Sequence, residues 1–259
     1  MKDFFNKVIE FLKDVFELIE KNEVVEEPIL EPIEEEIIEE PIIEQVEVKE
    51  VVDDLKTTQK EVYKMLTNKQ RQTYLKKLGL YTKNIDGVRG NGQKLAEKQF
   101  NIIFLNKKSS TYTEATDKLL REVYKSYNAS PYMVASDWQY FKNFKEKEYF
   151  CTCKKKYCDG WNGLRKKIPM HLLMADQYIR NYYNKPVSFS CSVRCPKRNA
   201  EVGGIKNSKH IKFRANDFKC SDIKSSKVVD LVYKGSNKLP FVGYAYSINT
   251  NYTHVDVKI

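Results

Sequence analysis

The sequence of 259 residues lacks a long hydrophobic run and contains only six cysteines and three histidines. No segment approaches the ~18 uncharged apolar residues of a membrane-spanning helix, so a transmembrane segment is not expected. A secretory signal is not expected either, because charges interrupt the N-terminal stretch at Asp3, Lys7, Glu10, Lys13, Asp14 and Glu17. We therefore expect synthesis in a reducing cytoplasm, where six cysteines in a chain of this length do not indicate a disulfide framework.

Charge is distributed unevenly along the chain. Residues 1–56 contain 6 basic and 19 acidic side chains. The remaining residues contain 39 basic and 16 acidic side chains, a net charge of +23, which favours an anionic partner. Nucleic acid is not the expected partner, because the sequence has no recognition helix, zinc finger or aromatic ribonucleoprotein motif.

The acidic part divides into two segments. Residues 1–22 are predicted to form an amphipathic helix, because apolar residues from Phe5 to Ile19 recur at spacings of three and four. Its apolar face must be buried on the rest of the chain, in self-association, or against a partner or membrane surface. Residues 23–56 are predicted to be an extended acidic linker, because they repeat Glu, Pro and Ile and the prolines break any helix.

Residues 57–130 are predicted to form a small helical module. Tyr-Leu-x-x-Leu-Gly-Leu-Tyr begins at Tyr74, Ile-Asp-Gly-x-x-Gly begins at Ile85, and Ala-x-x-x-Phe begins at Ala96. From about residue 66 to 127 this pattern resembles the three-helix peptidoglycan-binding module of many cell-wall hydrolases. The resemblance implies a wall-binding role, and a helical spacer with an Asp-Gly turn is the alternative.

Residues 136–259 are predicted to form an α+β domain with a mainly antiparallel sheet. Apolar residues from Ile168 to Tyr182 predict one helix, and a second is predicted over residues 225–233. Strict alternation of apolar and serine residues predicts a strand over residues 187–193. Further strands are predicted over residues 213–218, 241–246 and 252–257.

Two of the three histidines lie in patterns suited to a metal. In an extended strand His254 and Asp256 point to one face, and the valines that follow each of them point to the other. Asp217 lies in another predicted strand, seven residues after His210. Two imidazole nitrogens and one carboxylate oxygen would leave a fourth position for water, as in a catalytic zinc site. Taken singly, His210 and Asp217 also fit a hydrogen-bonded surface pair, and a His-x-Asp near a terminus occurs often by chance.

The neighbouring motifs extend this pattern. They are, in order, Arg194-Cys195-Pro196, Asn199, Val202-Gly203-Gly204, Ser208-x-His210, Ala215-x-Asp217 and His254-Val255-Asp256-Val257. Over about residues 145–258 the chain resembles the zinc D-Ala-D-Ala carboxypeptidase and murein endopeptidase family, particularly its phage endolysin members. The resemblance implies that His210, Asp217 and His254 bind zinc. It also implies that Arg194 is catalytic and binds a substrate carbonyl or carboxylate. Ser208 is predicted to contact substrate, and capping of a local turn is the alternative for its hydroxyl.

The chain departs from the family pattern near the final histidine. Many relatives have an acidic general base three residues before it and a histidine two before it, where this chain has Asn251 and Tyr252. Because asparagine does not accept a proton, the base is Asp256 or a carboxylate elsewhere, or the protein is a slow enzyme or a binding-only descendant. Asp256 would alternatively orient His254. Phe213 replaces a common glycine and is expected to reshape one cleft wall.

Three cysteines and the remaining histidine lie outside these motifs. Cys151, Cys153 and Cys158 fall in a lysine-rich turn. A second zinc site would need a fourth ligand, so we interpret them as buried or free thiols, with a structural metal as the alternative. His171 lies beside the apolar face of a predicted helix and is interpreted as structural.

Together these observations predict a zinc-dependent D,D-carboxypeptidase or endopeptidase that hydrolyses peptide bonds in bacterial peptidoglycan. The protein would be a phage lysin, present in the virion or in the host cytoplasm before lysis, that acts on the bacterial cell wall. Its N-terminal helix would bind phage structural proteins. The alternative is a non-catalytic structural or attachment protein of the virion that retains a zinc-binding, wall-recognising domain.

Overall fold

The computed structural model describes residues 63–164 and 167–258. The predicted helix at residues 1–22 and the acidic linker at residues 23–56 lie outside the described residues. Residues from Tyr63 onward form one compact unit. In the part of the chain that is described, no helix has the length and apolar character needed to cross a membrane.

Three helices occupy the first part of this unit: α1 (Asn68–Lys77), α2 (Asn91–Leu105) and α3 (Glu114–Ala129). Thr67 caps α1 and forms a reciprocal capping box with Gln70. Between α1 and α2 the Asp86 carboxylate accepts from the Val88 amide at 2.9 Å and from Gln72 Nε2 at 2.7 Å. Leu80, predicted within the first helical stretch, lies after the end of α1, and both the three-helix module and its wall-binding role stay predictions.

The second part, as far as the structure describes it, contains three α-helices and four strands. Two short 3₁₀ helices come first (Ala135–Tyr140 and Glu146–Tyr149). The α-helices are α4 (Met170–Tyr183), α5 (Pro196–Glu201) and α6 (Ser225–Val229). Helix α6 continues as a π-helical turn (Asp230–Lys234). The strands are β1 (Val187–Cys191), β2 (Ala215–Cys220), β3 (Val242–Ser247) and β4 (Tyr252–Val257). They form one antiparallel sheet in the order β1-β2-β4-β3. The α+β prediction is therefore confirmed.

Helix α4 lies at the centre of the core. Eleven of its residues, from Met170 to Asn181, are buried. The helix contacts α2 as well as strands β1, β2 and β4. Asn181 Nδ2 donates to the carbonyls of Ile102 at 2.6 Å and Ile103 at 3.1 Å, which ties α4 to α2. A helix buried on nearly all sides holds the helical part and the sheet together.

His171 has a structural role in this packing. Its Nε2 atom lies 3.1 Å from the Leu78 carbonyl, and its ring stacks on Phe241 at 4.4 Å. The ring also contacts Tyr127 of α3. Burial lowers the pKa of His171, which keeps the imidazole neutral in this apolar setting. The residue joins the segment after α1 to the sheet.

A buried carboxylate connects α4 to the strand that carries Asp217. Asp176 is fully buried and accepts from Asn216 Nδ2 at 2.6 Å and from the Tyr149 hydroxyl at 3.1 Å, both at Oδ2. Burial raises the pKa of Asp176 well above its usual value, and these two hydrogen bonds only partly oppose the effect. The protonated carboxyl is therefore the form that this site favours.

The Asp176→Asn variant should be more stable than the parent protein at pH 8, by at least about 1 kcal/mol in the free energy of unfolding. A raised folded-state pKa means that the unfolded chain loses its proton first as pH rises above ~4, which lowers the stability of the parent protein. Asparagine keeps an oxygen acceptor and has no charge to bury. Urea unfolding at pH 5 and pH 8 measures the effect, and an equal stability difference at both pH values would contradict it.

Candidate active site

The register of the sheet brings four side chains into one row. Asp217 on β2 lies directly opposite His254 on β4, and His254 lies opposite Tyr246 on β3. On the other edge Cys191 of β1 lies opposite Asp217. Because directly opposed residues of antiparallel strands project from the same face, the row crosses all four strands on one face.

His210 joins this row from the loop between α5 and β2. The loop is pinned to the end of β1, because the Arg194 amide donates to the His210 carbonyl at 3.1 Å. The Ser208 hydroxyl accepts from the His210 amide at 3.3 Å and caps the turn. Ser208 is itself buried, so the arrangement observed for its hydroxyl is the turn-capping one.

Three potential ligand atoms converge from His210, Asp217 and His254. His210 Nε2 lies 3.1 Å from Asp217 Oδ1, and His254 Nδ1 lies 2.7 Å from the same oxygen. The two imidazole nitrogens are 3.3 Å apart. Ligand atoms at ~2.0–2.1 Å from a tetrahedral zinc ion are about 3.3 Å apart, so this donor set fits zinc in both type and spacing.

The remaining atoms of two of these side chains have partners that fix their orientation. His210 Nδ1 lies 2.6 Å from the Ser192 carbonyl and donates to it, which makes Nε2 the nitrogen that faces Asp217 and that would bind a metal after losing its proton. Asp217 Oδ2 accepts from Arg194 Nη2 at 2.7 Å, which leaves Oδ1 for the two histidines. Arg194 Nε also donates to Cys191 Sγ at 2.9 Å. The guanidinium therefore bridges two members of the row.

Asp256 lies on the far side of the His254 ring. Its Oδ2 atom is 3.9 Å from His254 Nε2, whereas His254 Nδ1 faces Asp217. Gly243 on β3 leaves room for this carboxylate, because a Cβ atom there would lie 2.3 Å from Asp256 Oδ1. The carboxylate is thus placed to orient His254.

The electrostatics of the cluster favour a cation. Burial alone would lower the pKa of His210, but hydrogen bonds to Asp217 and Cys191 outweigh it and raise that pKa to about 9. The pKa of His254 is raised in the same way by Asp217, against the effect of burial. Burial opposes ionisation of Asp217, yet the two imidazoles hold the pKa of its carboxyl below the usual value. The site therefore attracts protons or a metal ion.

A second donor set overlaps the first. Cys191 Sγ, His210 and Asp217 also offer ligand atoms within 4.8 Å of one another. Cys191 Sγ, however, lies 3.7 Å from His210 Nδ1, the nitrogen that is bonded to Ser192. The set containing His254 is more compact and uses the His210 nitrogen that is not bonded to Ser192, so it is the better candidate for zinc.

A cleft of about 370 Å³ opens beside Asp217. Basic side chains of Arg194 and Arg198 line it, together with Tyr252 and Ile248. Asn251 is exposed, and its backbone N–H donates to Asn249 Oδ1 at 2.9 Å. Tyr252 thus replaces a histidine at the cleft itself, whereas Asn251 is not among the residues that line it.

Phe213 does not line this cleft. Its side chain is fully buried against Trp161 and Tyr149, with ring centroids at 5.7 and 6.3 Å. Its backbone has a φ of +54°, in the left-handed region that favours glycine. The expectation of a reshaped cleft wall is therefore wrong: the Phe213 side chain packs in the core.

Asn199 and Gly204 form one local unit. Asn199 Nδ2 donates to the carbonyls of Gly204 at 2.9 Å and Ile205 at 3.0 Å. A Cβ atom on Gly204 would lie 2.3 Å from Asn199 Oδ1, so only glycine fits there. This contact fixes the loop that leads to His210.

Several residues of the site were not found by sequence reasoning. Tyr246 stacks on the His254 ring at 4.7 Å, and Cys191 and Ser192 contact Arg194 and His210. Only the alternating pattern of the strands hinted at Cys191 and Tyr246. The Ser192 contact uses a backbone carbonyl, for which side-chain identity gives no signal.

Comparison with known proteins supports this geometry. Residues 142–256 match the family model Peptidase M15. The matched residues include the loop with His210, the residues that line the cleft and all of the sheet except the last residue of β4, so this part of the chain is similar to the M15 peptidases. No curated protein matches the chain.

The Arg194→Lys variant should bind zinc about 10- to 100-fold more weakly than the parent protein. A lysine ammonium is a single point charge and does not reproduce the fork that holds both Asp217 and Cys191. Chelator competition on the purified protein measures the affinity. Arg198→Lys is the matched control, since Arg198 lines the same cleft but bonds Thr152 and Glu201. If Arg194→Lys and Arg198→Lys bound zinc with the same affinity, the role of Arg194 in orienting Asp217 would be contradicted.

Proposed function

We propose that the protein is a zinc-dependent peptidase that hydrolyses peptide bonds in the stem peptides of bacterial peptidoglycan. The observation that carries the proposal is the convergence of His210 Nε2, Asp217 Oδ1 and His254 Nδ1 beside an open cleft. The match of this region to Peptidase M15 supports the reaction type. The bond cut would be next to D-Ala, by a carboxypeptidase or an endopeptidase, or the L-Ala–D-Glu amide.

The three side chains would hold zinc through these atoms. A zinc ion bound there supplies a Lewis acid for the scissile carbonyl and lowers the pKa of its water to near ~7. The Ser192 carbonyl keeps His210 in the tautomer that presents Nε2. Arg194 neutralises the second oxygen of Asp217 and lines the cleft, where it can also meet a carbonyl or carboxylate of the substrate.

The charge of the cleft suits this substrate class. Stem peptides carry free carboxylates, and Arg194 and Arg198 both line the cleft. Among the residues lining it, Asp217 is the only carboxylate, and that side chain is committed to the two histidines and Arg194. An acidic peptide would therefore meet net positive charge at the cleft.

Asp256 would be a positioning residue in this mechanism. Its carboxylate faces His254 Nε2, on the side of the ring away from the converging ligand atoms. From there it would fix the tautomer and the orientation of His254. This geometry favours the orienting role over that of a general base.

The Asp217→Asn variant should lose the zinc ion held with His210 and His254 and reduce cleavage of purified muropeptides by at least ~1,000-fold, because metal polarisation is worth several kcal/mol in the transition state. The His254→Ala variant should behave in the same way. Mass spectrometry of the digestion products and metal analysis measure both effects. Asp222→Asn is the matched control, because Asp222 is exposed and pairs with Lys185 at 2.9 Å, away from the three candidate ligands. Full zinc content with intact muropeptides in the parent protein would reject a peptidase.

The Asp256→Asn variant should lose only about 10- to 100-fold in activity and keep the pH profile of the parent enzyme. Asparagine has no proton to exchange but still offers an oxygen to His254 Nε2. A loss near ~10⁴-fold, together with disappearance of the acidic limb of the pH profile, would instead identify Asp256 as the general base.

A second candidate function is supported by Asn251, which stands where many relatives have an acidic base. In this case the protein would be a non-catalytic structural or attachment protein of a virion that retains zinc for wall recognition. Binding to intact peptidoglycan without release of fragments would favour it.

The cellular setting belongs to the same proposal. A phage lysin would be carried in the virion or accumulate in the host cytoplasm before lysis, with residues 57–130 binding the cell wall. The segment at residues 1–22 would attach to phage structural proteins. The basic charge of the chain after residue 56 is compatible with anionic wall polymers.

A further inference from the structure

We propose that Cys151, Cys153, Cys158 and Cys195 form a second, structural zinc site. The fourth ligand that the lysine-rich turn lacks in sequence is supplied by a cysteine 37 or more residues further along the chain. This site shares no residue with the cluster of His210, Asp217 and His254.

The four sulfur atoms already lie close together. One ligand atom from each cysteine falls within 4.8 Å of all the others. The Sγ atoms of Cys153 and Cys158 are 3.5 Å apart. Four sulfurs at ~2.3 Å from a tetrahedral zinc ion are about 3.8 Å apart, so only small movements are needed to close the site. Cys151, Cys153 and Cys195 are buried, whereas Cys158 is partly exposed and offers a route of entry.

Backbone amides support the sulfurs as acceptors. The Cys195 amide donates to Cys151 Sγ at 3.3 Å. Amides of the turn around Tyr157 and Gly160 similarly face Cys153 and Cys158. Hydrogen bonds of this kind stabilise a thiolate over a thiol, and the thiolate is the form that binds a metal.

The charge of the surroundings also fits. Four thiolates with one zinc ion have a net charge of −2, and binding releases the thiol protons to solvent. Lys154, Lys155 and Lys156 lie in the same turn, and Lys197 follows Cys195 closely. These ammonium groups offset the negative charge of a tetrathiolate site.

The segment that holds three of the cysteines has no regular secondary structure. From Phe150 to Leu164 the chain has neither helix nor strand. Trp161 joins the segment to the core, because it is buried and its ring lies 5.7 Å from that of Phe213. A tetrathiolate metal site is one way to hold a short irregular segment where disulfides do not form.

A disulfide explains the geometry less well. Cys153 and Cys158 could approach to ~2.05 Å, but this bond would leave the two other buried sulfurs without a role. All six cysteines are free in the structure. The mutual closeness of four sulfurs, instead of two pairs, points to a metal.

Zinc at this site would act on the cleft through the chain. Cys195 directly follows Arg194, and Thr152, between two of the cysteines, lines the cleft with Arg194 and Arg198. Arg198 Nε also donates to Thr152 Oγ1 at 3.3 Å. Binding at the cysteines would therefore fix one wall of the cleft and the position of Arg194.

Metal analysis of the full-length protein, purified with zinc and a reductant, tests the proposal. Two zinc ions per chain are expected for the parent protein. The His210→Ala, His254→Ala double variant should keep one, and the Cys153→Ser, Cys158→Ser double variant should lose one. Cys220→Ser is the matched control and should keep both, because Cys220 is a buried thiol of β2 outside the cluster.

Cobalt substitution gives a readout that is independent of activity. In the double histidine variant, Co²⁺ should produce the intense near-ultraviolet charge-transfer absorption of a tetrathiolate site, and Cys220→Ser should leave it unchanged. The cobalt spectrum of the double histidine variant tests the sulfur site even if the double cysteine variant fails to fold. Three outcomes would each overturn the proposal. The first is a double histidine variant with neither thiolate absorption nor zinc. The others are a Cys153–Cys158 disulfide in the reduced preparation and iron in place of zinc. Because the histidine site is removed in this arm, failure of the peptidase proposal does not affect the result.

Discussion

The register between β2 and β4 is the constraint on which the rest of the site depends. It sets Asp217 directly opposite His254, so that two ligand atoms meet at 2.7 Å without any loop having to close over them. A slip of one residue would turn one of these side chains to the other face of the sheet. The opposite face fixes the register: Val255 and Phe218 are fully buried there, and Asn216 is bonded to Asp176 of α4. The core therefore sets the geometry of the candidate metal site.

Much of this arrangement could be predicted from local patterns. The alternation in His-Val-Asp-Val indicates which two side chains share a face, and the strands at 187–191 and 252–257 fall within the predicted ranges. The pairing order of the strands could not be predicted, because hydrogen bonds between distant segments leave no local signal. The start of α4 was also placed too early, since Pro169 precedes the first helical residue and Ile168 lies before the helix. The identity of the ligand residues is a matter of sequence, but their convergence depends on tertiary structure.

The backbone conformation of Phe213 and the position of Cys195 could not be predicted from the sequence, because both depend on distant parts of the chain. Phe213 has a left-handed backbone, which is strained for a phenylalanine, and its side chain is buried against Trp161 and Tyr149. Cys195 joins a cluster with cysteines more than 35 residues away in sequence. In each case the stabilising partners are distant along the chain, so composition and periodicity give no information about them.

The segment from Cys191 to Cys195 connects the two candidate metal sites. Cys191 belongs to the row across the sheet, the Ser192 carbonyl orients His210, Arg194 neutralises Asp217, and Cys195 lies in the sulfur cluster. Val193, between them, is fully buried and anchors the segment in the core. Five consecutive residues thus contribute to both candidate sites. A shift of Cys195 would therefore move the neighbouring Arg194 relative to Asp217. Because a carboxylate with a displaced guanidinium is a less well oriented ligand, metal binding at the sulfur cluster would help to hold Asp217 in place as a ligand. Thr152, in the irregular stretch from Phe150 to Leu164, lines the same cleft and accepts a hydrogen bond from Arg198 there.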